Sequence, residues 1–247
     1  YQAEHSAETS LILAKSNSTV AAISCAIRER RKAAGLLNGH EVQIFASTPS
    51  GHPTEISVAQ GDRIRFLVRN DELGVVNGTV VTVTKVVERR STHDRTRHIE
   101  ITADIAGRHV TFDPAILADN RGRARLGWAY ASTIYGAQGL TVDNAVIHID
   151  PSCNRHDIYV AASRARERTT LVVDAKSIDR RLTAEFPIDR QTDDHAFAAA
   201  ERRAWLAERL SRASPKQSTL DIIEGPRAPE MQADRQRHRS RELRHEL

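Results

Sequence analysis

The hydrophobic pattern of this chain changes period twice. Leu11-Ile12-Leu13-Ala14 is a short apolar run, the pattern of a buried strand. Lys15-Ser16-Asn17-Ser18 supplies N-cap residue types, Val20, Ile23 and Ile27 recur at helical spacing, and Gly35 stands where a C′ residue belongs. This strand, polar turn and helix make a first βα unit. From about Thr54 the period falls to two: Ile64, Phe66 and Val68 alternate with Arg63, Arg65 and Leu67. Asn77-Gly78 between β-rich flanks predicts a type I′ hairpin within Gly74–Val83. Further strands are predicted at Ile99–Ala103 and His109–Phe112, with a charged loop from Glu88 to His98 before them. Short strands, tight turns and no helix read as a small β-barrel inserted into an α/β domain.

The α/β pattern returns at Arg125. Trp128 and Tyr130 alternate with small residues and predict a strand ending near Ser132. Val142–Ile149 is nearly continuously apolar, as in a sheet covered on both faces. Asp157–Arg166 is predicted helical, and Thr170–Val173 is predicted as a further buried strand. The core ends after Phe186-Pro187, and Ala196–Ser211 reads as an amphipathic helix carrying Phe197, Trp205, Leu206 and Leu210. From Ser214 on, Pro, Gln, Arg and Glu prevail, the composition of a disordered or interaction tail.

Composition narrows the partners only a little. The chain has 247 residues, with 36 Lys and Arg against 32 Asp and Glu, a net charge of +4 that permits a polyanion partner without proving one. Cys25 and Cys153 are the only cysteines and the 11 histidines are scattered, so neither a metal site nor a disulfide framework is expected. No apolar run approaches the ~20 residues of a membrane span, and no signal-peptide pattern opens the chain. A reducing cytoplasm is the expected setting. The chain begins at Tyr1 without Met, so it is expected to be part of a longer protein or a truncated gene product.

Candidate chemistry lies in two stretches. Thr133-Ile134-Tyr135-Gly136-Ala137-Gln138-Gly139-Leu140-Thr141 reads as a strand-to-helix loop. Its glycines allow close backbone approach, and Thr133, Gln138 and Thr141 offer neutral groups for phosphate oxygens. Tyr159-Val160-Ala161-Ala162-Ser163-Arg164-Ala165-Arg166 places two arginines on a short helix, and arginine's planar fork suits phosphate. Ser16 and Asn17, at the turn after the first strand, are placed to touch a ligand. Taken singly, the loop reads also as a glycine-rich surface turn, and an isolated Ser-Arg-Ala-Arg reads first as a helix with solvated or salt-bridged arginines. Missing from the chain are GxxxxGK[ST], an Asp-Glu pair ending an apolar strand, and GxSxG. No complete catalytic site is therefore expected in it.

In this order the two stretches resemble motifs V and VI of superfamily 1 helicases, in the TxHxxQGxT and YVALSRAR forms of the RecD-like branch. Leu11–Gly35 resembles the strand and helix opening the second motor domain of that branch. The Gly61-Asp62-Arg63 and Leu73–Gly78 segment resembles the GDR…LGVxNG of its inserted SH3-like barrel. Leu206–Asp221 is similar to the C-terminal region of TraA-type conjugative relaxase-helicases. The resemblance implies a RecA-like second motor domain (2A) at 1–53 and 126–187, an SH3-like barrel (2B) at 54–125 and a charged tail at 188–247. It implies ATP with Mg2+, held mainly by an upstream P-loop motor domain, together with single-stranded DNA and conjugative transfer machinery as partners. Arg164 matches the arginine finger. Gln138, Gly139, Ser163 and Arg166 match coupling positions, and Ser16, Asn17, Thr133, Tyr135 and Thr141 match DNA-contacting ones. Tyr135, Gly136 and Ala162 depart from the family's common His, Lys and Leu. The alternative is a non-catalytic nucleic-acid or protein-binding module left from a truncated helicase.

Overall fold

The computed structural model describes residues 10–90, 97–105, 107–185 and 197–212. The chain divides into Tyr1–Arg212 and Ala213–Leu247. The expected tail from Ser214, the chain's expected end of core at Phe186-Pro187 and Ala196 lie outside the described residues.

Four strands form a parallel sheet in the order β11-β10-β1-β9. They are β1 (Ser10–Ala14), β9 (Ser132–Thr133), β10 (Val142–Ile149) and β11 (Ala165–Val173). The fold is α/β, as the sequence predicts. Helix α1 (Asn17–Ala33) starts at the Ser16 cap, whose hydroxyl accepts from Thr19 N at 3.1 Å, and ends before Gly35 at φ 69°. Helix α2 (Arg155–Ala162) connects β10 to β11, and α3 (Ala175–Glu185) follows β11. Helix α4 (Ala199–Ser211) lays Leu206 and Leu210 against a core of Leu13, Ile134, Ala137, Ile147, Ile149 and Val160.

Between α1 and β9 the chain is antiparallel. Strands β2 (Asn38–Ser47) and β3 (Pro53–Gln60) pair with each other, and a five-stranded sheet runs β7-β6-β5-β4-β8. Its members are β4 (Arg63–Phe66), β5 (Val80–Arg90), β6 (Arg97–Ile105), β7 (Arg108–Phe112) and β8 (Leu126–Trp128). The two sheets share one core, with Val42, Val58, Ile64, Phe66, Val83, Ile101 and Leu126 buried in it. Ile64 and Phe66 face inward as their alternation demands.

The structure corrects several local expectations. Antiparallel pairing begins at β2, well before Thr54, and the alternation Val42, Ile44, Ala46 is the signal that marks it. Glu88–Arg90 and Arg97–His98 are not loop: they extend the β5–β6 pair as far as Arg90↔Arg97. Asn77 and Gly78 do form a turn, closed by Thr79 N donating to Val76 O at 3.0 Å. It leads into β5 alone, because the β5 residues Val80–Thr82 take β4 as their partner. The strand expected through Trp128 and Tyr130 is two short strands in different sheets, β8 and β9. Helix α2 begins at Arg155 and stops at Ala162, so Asp157–Arg166 is not one helix. Strand β11 is an edge strand and not a buried one, with Leu171 and Val172 each 46% exposed.

Candidate functional site

The turn at 134–141 crosses from the end of β9 to the start of β10. It joins strand to strand, not strand to helix. Ile134 N donates to Ala14 O at 2.9 Å, and the chain then closes on itself through Ala137 N to Thr133 O at 3.0 Å and Leu140 N to Ala137 O at 3.1 Å. Ile134 and Ala137 are fully buried and fasten the turn to the core. Tyr135, Gly136, Gln138, Gly139 and Thr141 face outward, and Thr133 is half-buried. Gly139 has φ 89°, which a side chain resists. Gly136 is required for space instead: a Cβ there would lie 2.7 Å from Thr133 Oγ1 and 3.3 Å from Ser132 Oγ.

Arg164 closes the far end of this turn. Beyond the Ser163 cap of α2, its Nε donates to Val160 O at 3.0 Å and its Nη2 to Ser163 Oγ at 2.8 Å. Its Nη1 donates to Leu140 O at 3.2 Å, and its own carbonyl accepts from Val142 N at 2.9 Å. The cation thus shares the Val160 carbonyl with Ser163 Oγ, which donates to it at 2.9 Å, and fixes the turn to the helix C-terminus. Arg166 lies in β11 and pairs at the surface with Asp143 at 3.4 Å.

The near end of the turn is held by a network that sequence reasoning missed. Tyr135 Oη donates to the Oδ1 of buried Asp157 at 2.8 Å, and Lys15 Nζ meets Asp157 Oδ2 at 2.8 Å while also donating to the Ser152 carbonyl. Asn154 and Asp157 form a capping box on α2, with reciprocal bonds at 3.0 Å. Burial opposes the charge on Asp157, but the bonds from Lys15, Tyr135 and the Asn154 N–H outweigh it and hold the carboxyl below its ordinary range. The same hydrogen bond, then burial, raises the Tyr135 phenol above its usual value. The spacing Asn154-x-x-Asp157 is the sequence signal that marks this helix start. Tyr135, where the resembled family commonly has His, therefore has a defined structural partner.

The predicted site residues thus fall at the two edges of the parallel sheet. Ser16, Asn17, Thr133 and Tyr135 gather at the C-terminal ends of β1 and β9, with Asn17 Nδ2 donating to Ser50 Oγ at 3.1 Å. Thr141, Ser163, Arg164 and Arg166 lie at the N-terminal ends of β10 and β11. Ser132 is level with Leu13 and so with Ile147, whereas Ala165 is level with Val142. That span of β10 is roughly 17 Å at ~3.3 Å per residue. The turn carrying Gln138 and Gly139 bridges the two edges. Among the described residues, no group of three or more His, Cys, Asp or Glu is placed to hold a metal. No described helix is long and apolar enough to cross a membrane.

Fold and site together define an α/β chain interrupted by antiparallel sheets, with one glycine turn pinned between a buried carboxylate and an arginine. No family model matches it. The chain is similar to the conjugal transfer protein TraA of Agrobacterium fabrum, 28% identical over 223 residues that make up 88% of this chain and 16% of that protein. It is also similar to a probable conjugal transfer protein TraA of Sinorhizobium fredii, 33% identical over 119 residues, 48% of this chain and 10% of the relative. These bear out the resemblance to TraA-type proteins read from the sequence; the chain spans about a sixth or less of their length. Among solved structures it is similar to the Pif1 helicase from Candida albicans, with a TM-score of 0.48 and 13% identity over 82% of this chain and 50% of that one. A Bacteroides Pif1 helicase gives a TM-score of 0.41 and 20% identity over 83% and 47%.

Proposed function

We propose that this chain is the second motor domain of an ATP-dependent DNA helicase or translocase of the TraA type, acting in plasmid DNA transfer in the cytoplasm. The observation that carries this reading is the hydrogen-bonded joining of the glycine turn to Arg164, in a chain 28% identical to TraA across 223 residues. The parallel-sheet part is read as domain 2A and the antiparallel sheets as the SH3-like 2B barrel, followed by the tail as a contact for transfer machinery. The chain has no GxxxxGK[ST]. ATP is accordingly bound at a P-loop domain against which this one closes. The described residues do not fit a Mg2+ site, and no step of this chain is assigned to the metal.

In this reading Arg164 is the arginine finger. At rest its fork is spent on two neutral carbonyls and a hydroxyl. Bonds from a guanidinium to phosphate are charge-assisted and roughly twice as strong as neutral ones, so Arg164 transfers to a phosphate when the domains close. Leaving Leu140 O frees one end of the turn, while Tyr135 stays anchored on Asp157. Gln138 and Gly139 lie on the freed segment and carry the movement toward Thr133, which with Ser16, Asn17, Tyr135 and Thr141 contacts single-stranded DNA. Ser163 and Arg166 flank the finger and orient it.

The test is Arg164→Ala in a protein that also carries the P-loop half. Loss of an arginine finger is worth on the order of 10³ or more in rate, so DNA-stimulated ATP hydrolysis should fall to background while oligonucleotide binding persists. Hydrolysis within a fewfold of wild type refutes the assignment.

A further inference from the structure

Arg65 is a charge without a counterion. It stands on β4 with its side chain directed toward β9, where Nη1 donates to Ser132 Oγ at 3.1 Å. Its Nε is buried with no hydrogen-bond partner, and among the described residues no carboxylate forms an ion pair with it. The charged neighbour that acts on it is Arg63, which repels it. A half-buried guanidinium with one neutral acceptor is destabilising, because desolvation of the charge is left uncompensated. The buried arginines are paired, Arg28 with both Asp62 and Glu41 and Arg123 with Asp119. Arg31, whose Nε is likewise buried and unpartnered, lies over the Tyr130 ring at 5.7 Å, whereas among the described residues no such ring faces Arg65.

The surroundings of Arg65 point to what completes it. Ser132 Oγ and Thr133 Oγ1 lie together under Gly136, whose missing Cβ would sit 3.3 Å and 2.7 Å from them. Gly136 does not have a left-handed φ, so the glycine serves to leave backbone bare above two hydroxyls. Gly136 is exposed, and its N–H is turned onto Thr133 Oγ1 at 2.9 Å. Ser132 is fully buried and orients Arg65, which leaves the guanidinium, the half-buried Thr133 hydroxyl and the exposed Gly136 backbone in one corner, groups that bind a phosphate oxygen.

We propose that Arg65, oriented by the buried Ser132, forms with Thr133 and the bare Gly136 backbone a phosphate-binding corner that receives one backbone phosphate of single-stranded DNA. This rests on the DNA-translocase reading above and adds to it a contact from the antiparallel part of the chain. A backbone phosphate fits better than a nucleotide phosphate because the corner is at the opposite sheet edge from Arg164. The fold retains an unpaired charge at Arg65 because the ligand supplies its partner.

The experiment is anisotropy of a labelled oligo-dT with the whole chain across a series of NaCl concentrations. Loss of one phosphate contact lowers the slope of log K against log salt by about 0.7 for a single strand. Arg65→Met should show that change and weaken binding at least severalfold, with an unchanged or raised melting temperature. Arg65→Lys should keep the slope. Gly136→Ser, which covers the hydroxyls and leaves Arg65 in place, should weaken binding likewise and serves as the second variant if Arg65→Met does not fold. An unaltered slope and affinity in Arg65→Met, or in Gly136→Ser where Arg65→Met does not fold, overturns the proposal. So does displacement of the oligonucleotide by ATP or inorganic phosphate beyond that by sulfate at equal ionic strength, which reassigns the corner to a small phosphate ligand. Wild-type chain that binds oligo-dT with no salt dependence refutes the translocase reading itself, and this inference falls with it.

Discussion

Asp157 shows how much one side chain can organise here. It caps α2, receives Lys15 from the end of β1 and receives Tyr135 from the glycine turn. Because its pKa is lowered in the fold from an ordinary 3.8, its contribution is present above that value and is lost as pH falls through the lower folded one. Asp179, Glu185 and Glu41 shift the same way. Asp157→Asn should therefore lessen, without abolishing, the fall in melting temperature measured below about pH 4. At neutral pH it should cost ~1–3 kcal/mol, since Lys15 loses its charge partner and a buried bond to Tyr135 weakens. A melting curve that is equally acid-sensitive in wild type and variant refutes this account.

At the scale of elements, α1 is fastened to the antiparallel sheets by a buried ion cluster. Arg28, whose side chain is 3% exposed, bonds Asp62 at 3.0 Å and lies 5.5 Å from the Trp128 ring centre. Asp62 also accepts from Tyr130 Oη at 2.6 Å and Ala59 N at 2.8 Å. Removing one partner of such a pair strands the other, at ~3–5 kcal/mol. Arg28→Met should show that loss in urea unfolding, and Arg28→Met with Asp62→Leu should not recover it, because Tyr130 and Ala59 N–H lose their acceptor. Helix α4 docks by Trp205, which is buried, stacks under Arg209 at 4.8 Å and donates from Nε1 to Glu185 at 2.9 Å. Trp205→Ala should cost ~3–5 kcal/mol; a variant as stable as wild type means α4 is not part of the folded unit.

For the whole molecule, the function proposed above entails a divided active site. In that reading the glycine turn and Arg164 handle phosphate, and the sequence holds no GxxxxGK[ST] to cradle one. The purified chain should show no ATP turnover above a blank with or without oligo-dT, measured by phosphate release. Turnover by the pure chain, lost on Arg164→Ala, would mean that the site is complete without a second domain.

The sequence alone determined the periods, and with them the element types. Leu11–Ala14, α1 with its Ser16 cap and Gly35 stop, the alternation at Ile64 and Phe66, and the apolar run of β10 are local patterns, and local backbone preference plus burial decides them. It also set Thr133–Thr141 ahead of Arg164 in order. Tertiary structure decided what each segment pairs with. Whether Trp128 and Tyr130 share a strand depends on two sheets competing for the chain, and β11 is exposed because it pairs on one side only. Arg164 leaves the helix because Leu140 O and Val160 O accept its fork. The Asn154-x-x-Asp157 capping box is legible from spacing, but neither Asp157's bonds to Lys15 and Tyr135 nor the lone charge of Arg65 is, since Lys15, Tyr135 and Ser132 are distant in the chain from the groups they meet and adjacent only once it is folded.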